Sequence, residues 1–232
     1  MKLSQILLIL FCFFTSLCFI GIIFENDTAF MVGKTIVFPC ILFYYFDQMK
    51  KVNILFLLIM LIFYVADLII VIDFENNTQY LEVLLNINNL LILYLAVKNI
   101  EIKKLNYQLL GFTIFLFFLG SGIQYLVYDL MHEKYPELAI KIFLTGIIVS
   151  IFNSISLYNY LLRNCYVYYY FGFACLSMGL MYSFFNIYKY VYYLEILRLL
   201  SLTFKIIAYF LFVKYMISKE RRDLKLLHFK QQ

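Results

Sequence analysis

The sequence predicts an all-α membrane protein, a polytopic bundle of eight transmembrane helices with both termini in the cytoplasm. Three observations predict this fold class. Of the 232 residues, 65% are hydrophobic and only 14% are charged, against roughly 45–50% and 25% in soluble domains. The apolar residues form runs of about 20, the length that crosses the hydrocarbon core of a bilayer as a helix. Lysine and arginine gather in alternate polar segments between these runs.

Short polar segments divide the apolar sequence into eight predicted helices. These cover about residues 5–24, 29–46, 53–72, 79–97, 108–128, 138–158, 166–185 and 194–216. The first resembles a signal sequence, but its apolar run extends to Phe24 without a small-residue cleavage site, so we expect a retained helix. The predicted transmembrane bundle covers residues 1–217. The basic cytoplasmic tail, residues 218–232, either lies on anionic lipid or flanks the last helix in solvent.

The distribution of positive charge predicts the orientation of the bundle, because lysine and arginine in short loops favour the cytoplasmic side. Twelve of these residues fall on one side: Lys2, Lys50, Lys51, Lys98, Lys103, Lys104, Arg163, Lys219, Arg221, Arg222, Lys225 and Lys230. Only three, Lys34, Lys134 and Lys189, fall on the other, among seven acidic residues. This topology accounts for the net charge of +5 without nucleic acid. We expect a multi-pass protein of a bacterial inner membrane whose partners are membrane lipids.

Cysteine and histidine form no pattern typical of a metal site. The five cysteines include no C-x-x-C pair, and the two histidines lie outside the apolar runs. Structural and catalytic zinc sites draw their ligands mainly from these two residue types. We therefore expect neither a metal ion nor another cofactor.

Ionisable residues within the predicted helices are candidates for function, because each costs about 2.5–3.5 kcal/mol at a helix centre. Asp67 and Lys205 lie farthest from water, which predicts an internal ion pair or a shared polar site. Lys34 and Arg198 lie nearer an interface, where they either face inward or extend to water. Glu195 can pair with Arg198 along helix 8. Because most of these residues lie at a similar depth, they predict a polar cavity in the outer half of the bundle.

Helices 4 to 7 add further polar groups to this predicted cavity. Glu82, Asn86 and Asn89 recur at i, i+4 and i+7, so they share one face of helix 4. Asn88 points away from that face, and we interpret it as an interhelical hydrogen-bonding residue. Helices 5 to 7 contribute Ser121, Gln124, Lys141, Thr145, Ser183 and Asn186.

Five short motifs add a family resemblance. They are Gly33-Lys34-Thr35 with Pro39 downstream, Ala66-Asp67-Leu68, Asn88-Asn89, Phe185-Asn186 and Ala208-Tyr209-Phe210. In helix count, order and these motifs the chain resembles the YhhN family of eight-helix membrane proteins, which includes the lysoplasmalogenases. That family has Gly where this chain has Ala66, Ser in place of Phe185, and His near the Asn pair. The resemblance marks Lys34, Asp67, Asn186 and Tyr209 as candidate site residues.

What the resemblance implies is metal-independent hydrolysis of the vinyl-ether bond of a lysoplasmalogen-type lysophospholipid. Asp67 would act as the acid, or stabilise the oxocarbenium ion that forms when the vinyl ether is protonated. Asn186 stands where the family has an Asp or Asn, so the second carboxylate would come from Glu82 or Glu195. Lys34 or Lys205 would hold the lipid phosphate. The remaining candidate substrate-binding residues are Arg198, Asn89 and Tyr209.

Two other classes of protein remain open. A non-catalytic protein could use the same cavity to bind or transport a lipid or small molecule, although the sequence has no convincing inverted repeat. A receptor could carry retinal on Lys205, with Asp67 or Glu82 as counter-ion. The eight helices and the absence of Trp argue against this class.

Overall fold

A computed structural model of the chain describes residues 2–49, 51–72, 78–100, 106–163 and 165–230. Within these ranges the secondary structure is entirely helical. The helices are α1 (Leu3–Ile23), α2 (Asp27–Gln48), α3 (Ile54–Ile72), α4 (Thr78–Lys98), α5 (Tyr107–His132), α6 (Pro136–Arg163), α7 (Tyr166–Tyr190) and α8 (Glu195–Lys230). All eight are long and apolar enough to cross a membrane. The described ranges thus confirm the predicted all-α class and have the architecture of an integral multi-pass membrane protein.

Four helices extend beyond their predicted ends. α5, α6 and α7 continue to His132, Arg163 and Tyr190, about one turn further than expected. The polar residues taken as boundaries lie inside the helices, because backbone hydrogen bonding continues where side-chain hydropathy falls. α8 continues to Lys230, and its 36 residues span about 54 Å, well beyond a hydrocarbon core of about 30 Å. The division into a bundle of residues 1–217 and a tail of residues 218–232 stays a prediction.

The helices form two compact units. Unit 1 comprises Met1–Asn88 and Tyr209–Gln232, and unit 2 comprises Asn89–Ala208. α1, α2 and α3 belong to unit 1, whereas α5, α6 and α7 belong to unit 2. α4 and α8 each contribute one segment to each unit.

A tight turn joins α1 to α2 in unit 1. Glu25 takes a left-handed conformation with φ of 52°, which reverses the chain at the end of α1. The backbone N–H of Asn26 donates to the Gly21 carbonyl at 2.8 Å, and the Asn26 side chain accepts from the Ala29 N–H at 2.9 Å. The end of α1 and the start of α2 are therefore both capped by residues of the turn.

Glycine lets α1 and α2 approach closely beyond the turn. A Cβ atom at Gly33 would lie 2.7 Å from Cys18 Sγ and 2.8 Å from both the Cys18 nitrogen and the Phe14 carbonyl oxygen. Since two of these atoms belong to the backbone of α1, a side chain at position 33 would force the helices apart. Gly33 thereby fixes the distance of α2 from α1 immediately before Lys34.

In unit 2, hydrogen bonds from side chains stabilise the carboxyl end of α4. Asn99 Nδ2 donates to the Leu95 carbonyl at 2.7 Å, and Asn159 of α6 donates to the Ala96 carbonyl at 3.1 Å. Arg163, at the end of α6, donates to the Asn99 carbonyl. These donors satisfy carbonyls that a helix end leaves without an intrahelical partner.

Candidate functional site

Asp67 is the centre of the candidate site in unit 1. It lies inside α3, and the residue is only 4% exposed. An aspartate in this position cannot bond to the N–H groups of its own helix, because those groups already donate to carbonyls one turn back. Its carboxyl group therefore needs side-chain partners, since burial without them is costly.

Lys34 of α2 supplies the first partner. Its Nζ atom lies 3.4 Å from Asp67 Oδ1, and its side chain is only 9% exposed. The same ammonium lies 5.5 Å from the centre of the Phe30 ring, within the range of a cation–π interaction. The Lys34 ammonium therefore lies between Asp67 of α3 and the face of the Phe30 ring.

Tyr209 of α8 supplies the second partner. Its hydroxyl donates a hydrogen bond to Asp67 Oδ2 at 2.7 Å, so each carboxyl oxygen has its own donor. The Tyr209 ring is buried, with Phe38 and Phe63 at centroid distances of 5.6 and 5.5 Å. These aromatic contacts hold the phenol in place and surround the hydrogen bond with apolar material.

The electrostatics of this site depend on its low polarity. A buried ion pair is stable only when good geometry and additional hydrogen bonds compensate for the lost hydration. Asp67 meets this condition with an ammonium on one oxygen and a phenol on the other. The two partners thus hold the carboxyl group in one orientation inside unit 1.

The structure places the other predicted site residues as follows. Glu82 lies partly exposed on the segment of α4 that belongs to unit 1. The remaining four, Asn89, Asn186, Arg198 and Lys205, belong to unit 2. Among these, Asn89 and Asn186 are buried. Arg198 pairs with Glu195 at 3.5 Å, as expected for residues one helical turn apart. The structure thus brings together Lys34, Asp67 and Tyr209, and a single site containing all the predicted residues stays a prediction.

Among the described residues, Asn88 does not form the interhelical hydrogen bond that the sequence predicts for it. The residue is fully buried, and neither polar atom of its side chain has a hydrogen-bond partner within the described ranges. The expected interhelical hydrogen bond is therefore not formed by the described part of the chain.

Sequence reasoning assigned no role to two residues beside the ion pair. Cys18 is fully buried in α1 and lies against Gly33. Gly33 itself sets the spacing of α1 and α2. The one available signal was the glycine directly before a buried lysine, since nothing distinguishes Cys18 from the other cysteines in apolar runs.

Fold and site together define an integral membrane protein with a buried Lys34–Asp67–Tyr209 centre in unit 1. No protein-family model, curated protein or solved structure matches the chain significantly.

Proposed function

We propose that this protein is a membrane hydrolase that cleaves the vinyl-ether bond of lysoplasmalogen-type lysophospholipids without a metal ion. The observation that carries the proposal is the buried Asp67 carboxyl group, with Lys34 on one oxygen and Tyr209 on the other. Vinyl-ether hydrolysis needs a proton donor and a negative charge close to a developing cation. An Asp–Lys pair inside an apolar helix bundle can supply both.

In the first step, the Lys34 ammonium passes a proton to Asp67, and the resulting carboxylic acid protonates the vinyl carbon farther from the ether oxygen. The π electrons of the vinyl group form the new C–H bond, which leaves an oxocarbenium ion on the adjacent carbon and oxygen. Asp67 is again a carboxylate and stabilises this cation. The low polarity of the site strengthens that attraction.

In the second step, water adds to the oxocarbenium carbon, and the neutral Lys34 amine takes up the proton that the water releases. The hemiacetal then breaks its bond to the glycerol oxygen as its hydroxyl proton moves to that oxygen, giving a fatty aldehyde and a glycerophospho-amine with a free hydroxyl. Lys34 is an ammonium again and Asp67 a carboxylate, so the cycle closes without a cofactor.

Other candidate residues have a charge or a hydrogen bond that suits this proposal. Lys34 pairs with Asp67, and Lys205 and Arg198 stay sequence-based candidates for the lipid phosphate because their charges suit an anion. Tyr209 orients the Asp67 carboxyl group through its hydrogen bond. Glu82 and Asn186 as catalytic residues, and Asn89 as a substrate-binding residue, stay predictions from the sequence.

The test is aldehyde release from a lysoplasmalogen by the purified protein in detergent. Asp67→Asn keeps the shape of the side chain but removes the transferable proton and the charge, so we expect a loss of about 10²–10⁴-fold in turnover. The matched control is Asp47→Asn, an exposed aspartate at the end of α2, which should retain activity. A saturated ether lipid of the same length should not react, because it cannot form the oxocarbenium ion by protonation at carbon.

Absence of aldehyde at every pH between about 5 and 9 would contradict the hydrolase proposal. Saturable binding of the lysolipid without turnover would instead favour the alternative function, a non-catalytic lipid-binding or transport protein. Weaker binding by Asp67→Asn, compared with Asp47→Asn, would then assign that function to the same buried centre.

We also propose that both termini face the cytoplasm of a bacterial inner membrane. The excess of Lys and Arg in alternate loops supports this orientation. Fusion of a reporter that is active only in the periplasm to each predicted loop tests it, and activity at either terminus would contradict it.

A further inference from the structure

A stripe of small and polar residues on α7 meets two amide side chains from neighbouring helices in unit 2. Gly179, Ser183 and Asn186 are spaced at i, i+4 and i+7, so they face the same direction. Ser183 and Asn186 are buried. The stripe therefore brings polar groups into the interior of unit 2, independently of the centre around Asp67.

Gln124 of α5 reaches the middle of this stripe. Its Nε2 atom donates to Ser183 Oγ at 2.9 Å, and the Ser183 hydroxyl donates to the Gly179 carbonyl at 3.1 Å. Gln124 is 4% exposed, and its Oε1 atom has no hydrogen-bond partner among the described residues. One good acceptor is thus left open beside Ser183.

Asn153 of α6 reaches the upstream end of the stripe. Its Nδ2 atom packs against Gly179, in the space that a side chain at that position would fill. Its Oδ1 atom is buried, with no partner in the described part of the chain. This second buried acceptor lies on the side chain that packs against Gly179, seven residues or about 10 Å along α7 from Asn186.

Asn186 closes the other end of the stripe. The residue is 3% exposed, and its Nδ2 atom has no acceptor within the described ranges. Since residues three apart on a helix are neighbours at about 5–6 Å, this open donor lies next to the Gln124–Ser183 hydrogen bond.

We propose that a buried water site between α5, α6 and α7 connects Gln124 Oε1 and Asn186 Nδ2. An open acceptor and an open donor on neighbouring turns match a water molecule, which donates to the first and accepts from the second. A lipid hydroxyl shares this chemistry. Buried polar groups without protein partners are commonly satisfied by internal water, and leaving them unsatisfied costs about 1–3 kcal/mol each.

Asn186→Leu tests the site, because the proposal predicts whether the midpoint of thermal unfolding falls or rises. If water is bound, the leucine removes one of its hydrogen bonds, and the midpoint should fall by about 2–4 °C. If the site is dry, the leucine replaces an unsatisfied amide with an apolar group of similar size, and the midpoint should stay or rise. An unchanged or raised midpoint overturns the proposal.

Met178→Leu is the matched control, because it places leucine at another buried position of α7 without removing a polar group. Its midpoint should change less than that of Asn186→Leu. Gln124→Leu combined with Asn186→Leu should cost less than the sum of the two single changes, because both remove bonds to the same water. Strict additivity would contradict a shared site.

Two further readouts separate water from a lipid hydroxyl and cover a variant that fails to fold. With bound water, the effect of Asn186→Leu is the same in lipid-free detergent and in lipid. An effect seen only with added lysolipid assigns the site to the lipid and overturns the water proposal. In the unaltered protein, a density map that resolves ordered waters should show a peak within hydrogen-bond distance of Gln124 Oε1 and Asn186 Nδ2, and an empty site there is contrary to the proposal.

Discussion

Tyr209 donates a hydrogen bond to Asp67 across a separation of 142 residues in sequence. It joins α8 to α3, and the 2.7 Å distance is that of a strong hydrogen bond to a charged acceptor. Because Lys34 occupies the other carboxyl oxygen, Tyr209 decides how the second oxygen is oriented. The stability of unit 1 should depend on all three side chains.

Tyr209→Phe should destabilise the protein by about 1.5–3 kcal/mol, the usual contribution of a hydrogen bond to a charged group. The ring and its contacts with Phe38 and Phe63 are retained, so the loss reports the hydroxyl alone. Thermal or denaturant unfolding in detergent measures it. The matched control is Tyr64→Phe, because the Tyr64 ring stacks on the same Phe38. Equal effects of the two changes would show that the hydrogen bond to Asp67 contributes nothing.

Lys34→Met should cost about 3–5 kcal/mol, because it leaves the Asp67 carboxylate without its cation in a buried site. Asp67→Leu should cost a similar amount for the converse reason. The double variant should be more stable than the sum predicts, since it removes both buried charges together. A double-mutant cycle of unfolding free energies checks this expectation. Additive effects would mean that the two groups do not interact.

Gly33→Ala should lower the unfolding midpoint, although alanine is the better helix former by about 1 kcal/mol. The new methyl group would press on Cys18 Sγ and on the backbone of α1, so α2 and Lys34 must shift. Gly122→Ala is the control, because a Cβ atom there meets nothing within 4 Å. It should leave the midpoint unchanged or raise it. A stabilised Gly33→Ala variant would show that α1 and α2 are not held at this spacing.

Arg163→Gln should loosen the carboxyl end of α4. The arginine donates to the Asn99 carbonyl and the Tyr168 hydroxyl, and its guanidinium lies 4.2 Å from the centre of the Tyr168 ring. Hydrogen exchange of the amides at residues 95–100 should accelerate, by about tenfold for each 1.4 kcal/mol lost. Lys98→Gln, an exposed change in the same turn, should leave this exchange rate nearly unaltered. If both changes act alike, the contacts of Arg163 do not stabilise the helix end.

The candidate site was only partly predictable. Asp67 could be found from the sequence because a carboxylate in the middle of an apolar run is costly wherever the helix turns it. Its partners could not be found in the same way, since depth favoured Lys205 as the cation, whereas Lys34 was expected nearer an interface. The contact of Lys34 with Asp67 depends on the rotation and spacing of α2, which Gly33 and the backbone of α1 set.

Eight apolar runs and their lengths determined the helical class by themselves, because every backbone polar group inside a bilayer must be satisfied within its own segment. Only the tertiary structure decided where α6, α7 and α8 end, since backbone hydrogen bonding continues through the Tyr- and Asn-rich junctions. Tertiary structure alone also decided which polar groups meet. Lys34, Asp67 and Tyr209 come from three helices, and their contacts depend on packing between residues far apart in sequence.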